Sequence, residues 1–135
     1  MASNQDQVKV TFEKMVVHDN GDTKVGGGKG ELHWRFSVDG STLVERDDSN
    51  PDKTKDGETI FLGESRLVAK PRKSGSFLTI SGYVADKDGG LSGKAEQDDF
   101  SKAWSYKENW GAGTRQVNLR DGRLDVTLHY KVEVV

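Results

Sequence analysis

The chain has no cysteine, which excludes disulfides, a thiolate nucleophile and any cysteine-ligated metal. It has no apolar run near the roughly 20 residues that a membrane-spanning helix needs. Its first residues, Met1-Ala2-Ser3-Asn4-Gln5-Asp6-Gln7, lack the apolar stretch of a secretory signal. The expectation is a soluble chain whose compartment stays open, a cytoplasmic location being preferred. Charge of one sign is missing as well: 20 basic and 22 acidic residues leave a net charge of -2, which argues against a surface given over to nucleic acid. Catalytic motifs are absent. No serine sits in a Gly-x-Ser-x-Gly elbow, and Gly26-Gly27-Gly28-Lys29-Gly30 is followed by Glu31 and a strand, where a phosphate loop needs Ser or Thr and a helix. Enzyme activity is not expected.

What remains is a chain with 33% hydrophobic and 31% charged residues, whose core must come from spaced apolar positions. The spacing is two. Leu32, Trp34, Phe36 and Val38 alternate with polar neighbours, as do Leu78, Ile80, Gly82 and Val84, and Leu124, Val126, Leu128, Tyr130, Val132 and Val134. In the first strand, Val8 to Val17, the pattern Val8, Val10, Phe12 resumes as Met15 and Val17, a change of phase that predicts a β-bulge near Lys14. Asp39-Gly40 predicts a hairpin turn. Residues 46–57 hold no apolar side chain and predict a solvated loop. Further strands are expected over 58–62, 65–70, 100–106 and 115–119. The fold class is all-β: a single antiparallel β-sandwich of about seven to nine strands without substantial helix, with residues 1–7 as a disordered polar tail and 8–135 as one domain.

Two loops are unusually acidic. One is His18-Asp19-Asn20-Gly21-Asp22, and the other runs from Asp86 to Asp99 with Asp86, Asp88, Asp98 and Asp99 around a glycine-rich centre. Clustered carboxylates repel one another unless water solvates them or a cation neutralises them, and calcium favours many carboxylate oxygens. A solvated turn is the plain alternative, since Asp and Gly are turn residues anyway. An EF-hand is excluded, because counting from Asp86 the sixth residue is Leu91 instead of Gly and the twelfth is Gln97 instead of Glu.

An all-β chain with an acidic loop after its first strand, and an Asp-x-Asp loop closed by further aspartates after a later strand, resembles a C2-type calcium-binding sandwich over roughly 8–135. The resemblance implies that the two loops lie at one end of the sandwich, share one or more calcium ions and dock on anionic phospholipid. Carried over by position, Asp19 and Asp22 match the first loop, and Asp86, Asp88 and one or both of Asp98 and Asp99 match the later one. The family's Ser-Asp-Pro-Tyr continuation is replaced by Gly30-Glu31-Leu32-His33-Trp34, where Glu31 stands in as a carboxylate. Val25 and Leu91, flanked by Lys24, Lys29 and Lys94, are the candidate membrane contacts.

Other readings stay open. His18 beside Asp19 suits calcium better than zinc, and His33 and His129 fall on polar strand faces. Trp34 and Trp104 are in phase with core residues. Trp110, in a loop, is a candidate for an exposed platform with Tyr83 and Tyr106, which supports a carbohydrate- or protein-binding module in which calcium is structural only. Lys70, Arg72 and Lys73 with Lys53 and Lys55 form a weaker, basic alternative without interleaved aromatics.

Overall fold

Alternation with a period of two puts Val8, Val10 and Phe12 on the inward face of β1 (Gln5–Asn20). In the computed structural model, which describes residues 4–21, 30–47, 49–86 and 96–135, the strand begins at Gln5, three residues before the apolar pattern does. The register of β1 slips between Phe12 and Lys14 against both neighbouring strands, at the expected bulge, and this returns Met15 and Val17 to the core. A second slip, between Val17 and Asp19, reverses the phase again, so that Asn20 is buried opposite Leu124 while Asp19 lies opposite Asp125.

The chain continues through β2 (Gly30–Val38), β3 (Ser41–Arg46), β4 (Asp52–Thr54), β5 (Thr59–Pro71), β6 (Leu78–Asp86), β7 (Gln97–Trp104), a short 3-10 segment (Tyr106–Gly111), β8 (Gly113–Asp121) and β9 (Leu124–Val134). The nine strands among the described residues form two antiparallel sheets, one in the order β5-β1-β9-β8, the other β3-β2-β6-β7 with β4 also paired to β2. Asp39 and Gly40 both have positive φ, 50° and 78°, as a tight type I′ hairpin between β2 and β3 requires. Two expectations need correction. The 46–57 stretch contains β4, which pairs with Gly30–Leu32 and buries Thr54, but it carries no apolar residue and therefore leaves no apolar signature. The two strands expected over 58–70 are one, β5.

The core lies between the sheets. Phe12 packs against Phe36 of the facing sheet, ring centroids 5.5 Å apart, and against Tyr130 at 6.2 Å. Full burial of a side chain of this size contributes roughly 1.5–3 kcal/mol. Trp34 is buried as expected, and Trp104 is half-buried beneath the Arg115 guanidinium, 5.2 Å from its ring. Trp110 is not the exposed platform of the sequence reading: it is fully buried. Asn109, Trp110 and Gly111 take φ of 52°, 56° and 71°, a left-handed run that turns the indole inward, and its Nε1 donates to Asp6 at 2.9 Å.

Asp6 also accepts Nε and Nη2 of Arg72, at 2.9 and 2.6 Å. These Arg72 hydrogen bonds, and next the one from Trp110, hold its carboxyl below the usual range. A carboxylate depressed in the folded chain stabilises it fully above the unfolded value of about 3.9 and ceases to do so as pH falls through the lowered value. We expect Asp6→Asn to lower the melting temperature at neutral pH and to flatten its fall on acidification. Melting curves from neutral to strongly acidic pH check this, and parallel curves for the two proteins would refute it.

Candidate functional site

The chain leaves β1 at Gly21 and leaves β6 at Asp86, and the strand order brings these exits to the same end of the sandwich. Gly21 has φ +82°, and a Cβ placed on it would lie 2.9 Å from Glu96 Oε1 and 3.0 Å from Asp86 Oδ2. Two carboxylates therefore flank one point on the backbone, which only glycine leaves open. Asp86 lies opposite Leu32 of β2 and shares its inward face, so it is just 1% exposed. Its N–H donates to Glu96 O at 2.9 Å. A buried carboxylate is costly unless hydrogen bonds or cations compensate it.

Glu96 reaches from this point to the β8–β9 turn, where its Oε2 accepts the Arg123 N–H at 2.7 Å. A Cβ on Gly122 would fall 1.7 Å from that oxygen; the turn is open to the carboxylate because it carries no side chain there. The same seam is tied twice more, by Asp121 Oδ2 accepting the Gln97 N–H and Asp98 Oδ2 accepting the Arg120 N–H, each at 2.9 Å. These charge-assisted bonds link β7 of one sheet to the β8–β9 hairpin of the other.

Register decides where the remaining acidic residues go. Asp98 lies opposite Val84 on the inward face, its second oxygen accepting the Asp99 N–H at 2.9 Å. Asp99 lies opposite Tyr83 on the outer face. Glu31 lies opposite Lys53 and one residue from inward-facing Leu32, so it too is on the outer face, away from Asp86. Asp19 sits on the outer face of the other sheet, where Oδ1 accepts the Gly21 N–H at 2.9 Å and Oδ2 is 4.0 Å from Arg123 Nε. Asp22, Asp88, Val25, Leu91, Lys24 and Lys94 lie outside the described residues. Among the described residues, no three His, Asp or Glu side chains group closely enough to hold a metal ion. The structure brings together the two loop exits, and with them Asp86 and Glu96, but not Asp19, Glu31, Asp98 and Asp99.

Glu96 was missed in the sequence, although a signal was there. Glu96, just before β7, continues the phase of Asp98 and Phe100, and Phe100 marks it as the inward one. Of the proposed platform, Trp110 is buried against Tyr106 at 6.5 Å, while Tyr83 stands on the outer sheet face against His33 at 5.8 Å. Lys70 and Arg72 are engaged by Asp39 and Asp6. No described helix is long and apolar enough to cross a membrane.

No family model matches the sequence, and no curated protein matches it. Among solved structures, one described as a C2 domain is 11% identical, with a TM-score of 0.55 over 96% of this chain and 99% of that one. A C2 domain protein from Ramazzottius varieornatus is 15% identical, with a TM-score of 0.45 over 98% of this chain and 91% of that one. The likeness in fold rests on the first of these. With its two antiparallel sheets and this match over nearly the whole length of both chains, the protein has a C2-like β-sandwich fold.

Proposed function

We propose that this C2-like sandwich is a binding module, not an enzyme, that takes calcium where the 22–29 and 87–95 loops leave the sheets and docks there on anionic phospholipid. The observation that carries the reading is the meeting of Gly21, Asp86 and Glu96 at one point. It supports the adjacency of the two loops, on which a shared ion depends. Asp86 and Glu96 supply hard carboxylate oxygens. Calcium takes about six to eight oxygens, so Asp22, Asp88 and loop carbonyls are the proposed remainder, with Asp19 at the rim. Bound calcium would neutralise this acidic end, which otherwise repels an anionic bilayer, and Lys24, Lys94, Val25 and Leu91 are the proposed lipid contacts. The burial of Asp86 favours a second reading, in which the ion only clamps the loops and the ligand is a protein or sugar.

Calorimetric titration and melting curves of the metal-free protein, with magnesium as control, test the first step. At 100 times its dissociation constant, calcium should stabilise the fold by about 2.7 kcal/mol. Asp86→Asn/Asp88→Asn should abolish the response and Asp47→Asn/Asp48→Asn should keep it. Neither heat nor a shift in melting at millimolar calcium would end the proposal. Given binding, sedimentation with anionic vesicles, with and without chelator, separates lipid docking from a structural clamp.

A further inference from the structure

The longest unpaired edge among the described residues is β5, thirteen residues joined to β1 on one side only. Its outer face carries Phe61 and Leu67, 79% and 58% exposed. Unpaired edges are templates for another strand, and natural proteins usually cover or charge them. We infer that this edge pairs with the same edge of a second copy of the chain, antiparallel about a two-fold axis at Ser65, to join two four-stranded sheets into one.

Self-complementarity carries the inference. In an antiparallel pair centred on Ser65, each residue meets the one equally far on the other side of the axis. Leu67 then faces Gly63 of the second copy. The large exposed side chain meets the smallest residue, and a Cβ built on Gly63 finds nothing within 4 Å, so there is room for the leucine. On the other face of the strand, Glu64 meets Arg66 of the second copy. Among the described residues Glu64 has no ion-pair partner of its own. Arg66 is held in place by Nη1 and Nη2 bonds to Ser41 O and Thr42 O, both 3.0 Å, which leaves its Nε to a carboxylate. Two-fold symmetry makes every such pair occur twice. Opposite charges and apolar pairs directly across strands are the units that stabilise a sheet. Gly63 has φ +66° beside the slip between β1 and β5, and bulges of this kind serve elsewhere to keep edges apart; here the second copy's Leu67 covers it. The inference is independent of calcium.

The absence of cysteine makes the test direct. Residues opposite each other have Cβ atoms about 4.5–5.5 Å apart, close to what a disulfide spans, so Ser65→Cys should oxidise to a cross-linked dimer. Ser101→Cys, exposed on β7 of the other sheet, is the control and should cross-link at least tenfold more slowly. Sedimentation equilibrium of the unmodified chain in chelator should show the mass rising from one copy to two with concentration. Leu67→Lys and Glu64→Arg should each abolish the rise while leaving the far-ultraviolet spectrum unchanged. A one-copy mass up to millimolar protein, equal cross-linking of the two cysteine variants, or dimers that survive Leu67→Lys would each overturn the inference.

Discussion

Gly82→Ala is expected to cost the fold about 3 kcal/mol or more, seen as a fall in the urea midpoint with unchanged slope. Gly82 sits mid-strand in β6, opposite Phe36 of β2 and Phe100 of β7. Strands two apart are separated by roughly 9.6 Å, yet the two rings lie 6.3 Å centre to centre, so they lean together over the missing side chain. A Cβ there would stand 2.3 Å from Arg35 O, 2.4 Å from Phe36 Cδ1 and 3.0 Å from Phe36 Cα. The first and last of these are backbone atoms, which cannot rotate away, and moving them breaks the β2–β6 ladder. Gly75→Ala is the contrast: φ is +87° but nothing lies within 4 Å, so its cost is the left-handed backbone alone, about 1–2 kcal/mol. If Gly82→Ala melts no lower than Gly75→Ala, the packing of the aromatic pair over β6 is wrong.

Gly82 also shows what could be read in advance. Its place in the Leu78-Ile80-Gly82-Val84 series was plain from alternation, as were both phases of β1 around Lys14 and the inward run of β9, because each depends on one strand with one buried face. Features that depend on two strands at once were not legible. β4 is three residues held by pairing to β2, with no pattern of its own. The slip between Val17 and Asp19 turned Asp19 outward and Asn20 inward, and nothing in His18-Asp19-Asn20 announces it. The same limit applies to the candidate site. That the two acidic loops leave one end of the sandwich followed from the C2-like arrangement, and the contact of Gly21 with Asp86 and Glu96 agrees with it. Which carboxylates face that point depends on strand pairing: the Asp86 N–H bond to Glu96 O continues the β6–β7 ladder and sets these two together, while register sends Asp99 and Glu31 to the outer faces and Asp98 is tied to the Arg120 N–H.

Trp110→Ala should destabilise the fold by about 3–5 kcal/mol, the range for removing a buried aromatic of this size. The sequence places Trp110 directly before Gly111-Ala112-Gly113 and suggests a loop; magnitudes explain why the chain folds it inward instead. Left-handed backbone costs roughly 1–2 kcal/mol per non-glycine residue, so Asn109 and Trp110 together cost about 2–4 kcal/mol. A buried indole removes some 150–250 Å² from water, worth about 4–6 kcal/mol at 25 cal/mol per Å². Burial therefore outweighs the strain, narrowly. Gly111 continues the left-handed run because a Cβ there would meet the Trp104 ring at 2.3 Å. Truncation to alanine leaves the strain without the burial, and it removes the Nε1 donor to Asp6, so the 106–111 segment should relax as well as the core lose contacts. Trp110→Phe separates the two effects: it keeps most of the apolar area and loses the hydrogen bond, worth about 1.5–3 kcal/mol where the acceptor is charged. Urea denaturation ranks the three proteins, and near-ultraviolet circular dichroism reports the segment. A loss below about 1 kcal/mol for the alanine variant would mean that the backbone recovers its strain on release, and that the indole is not what holds the left-handed turn.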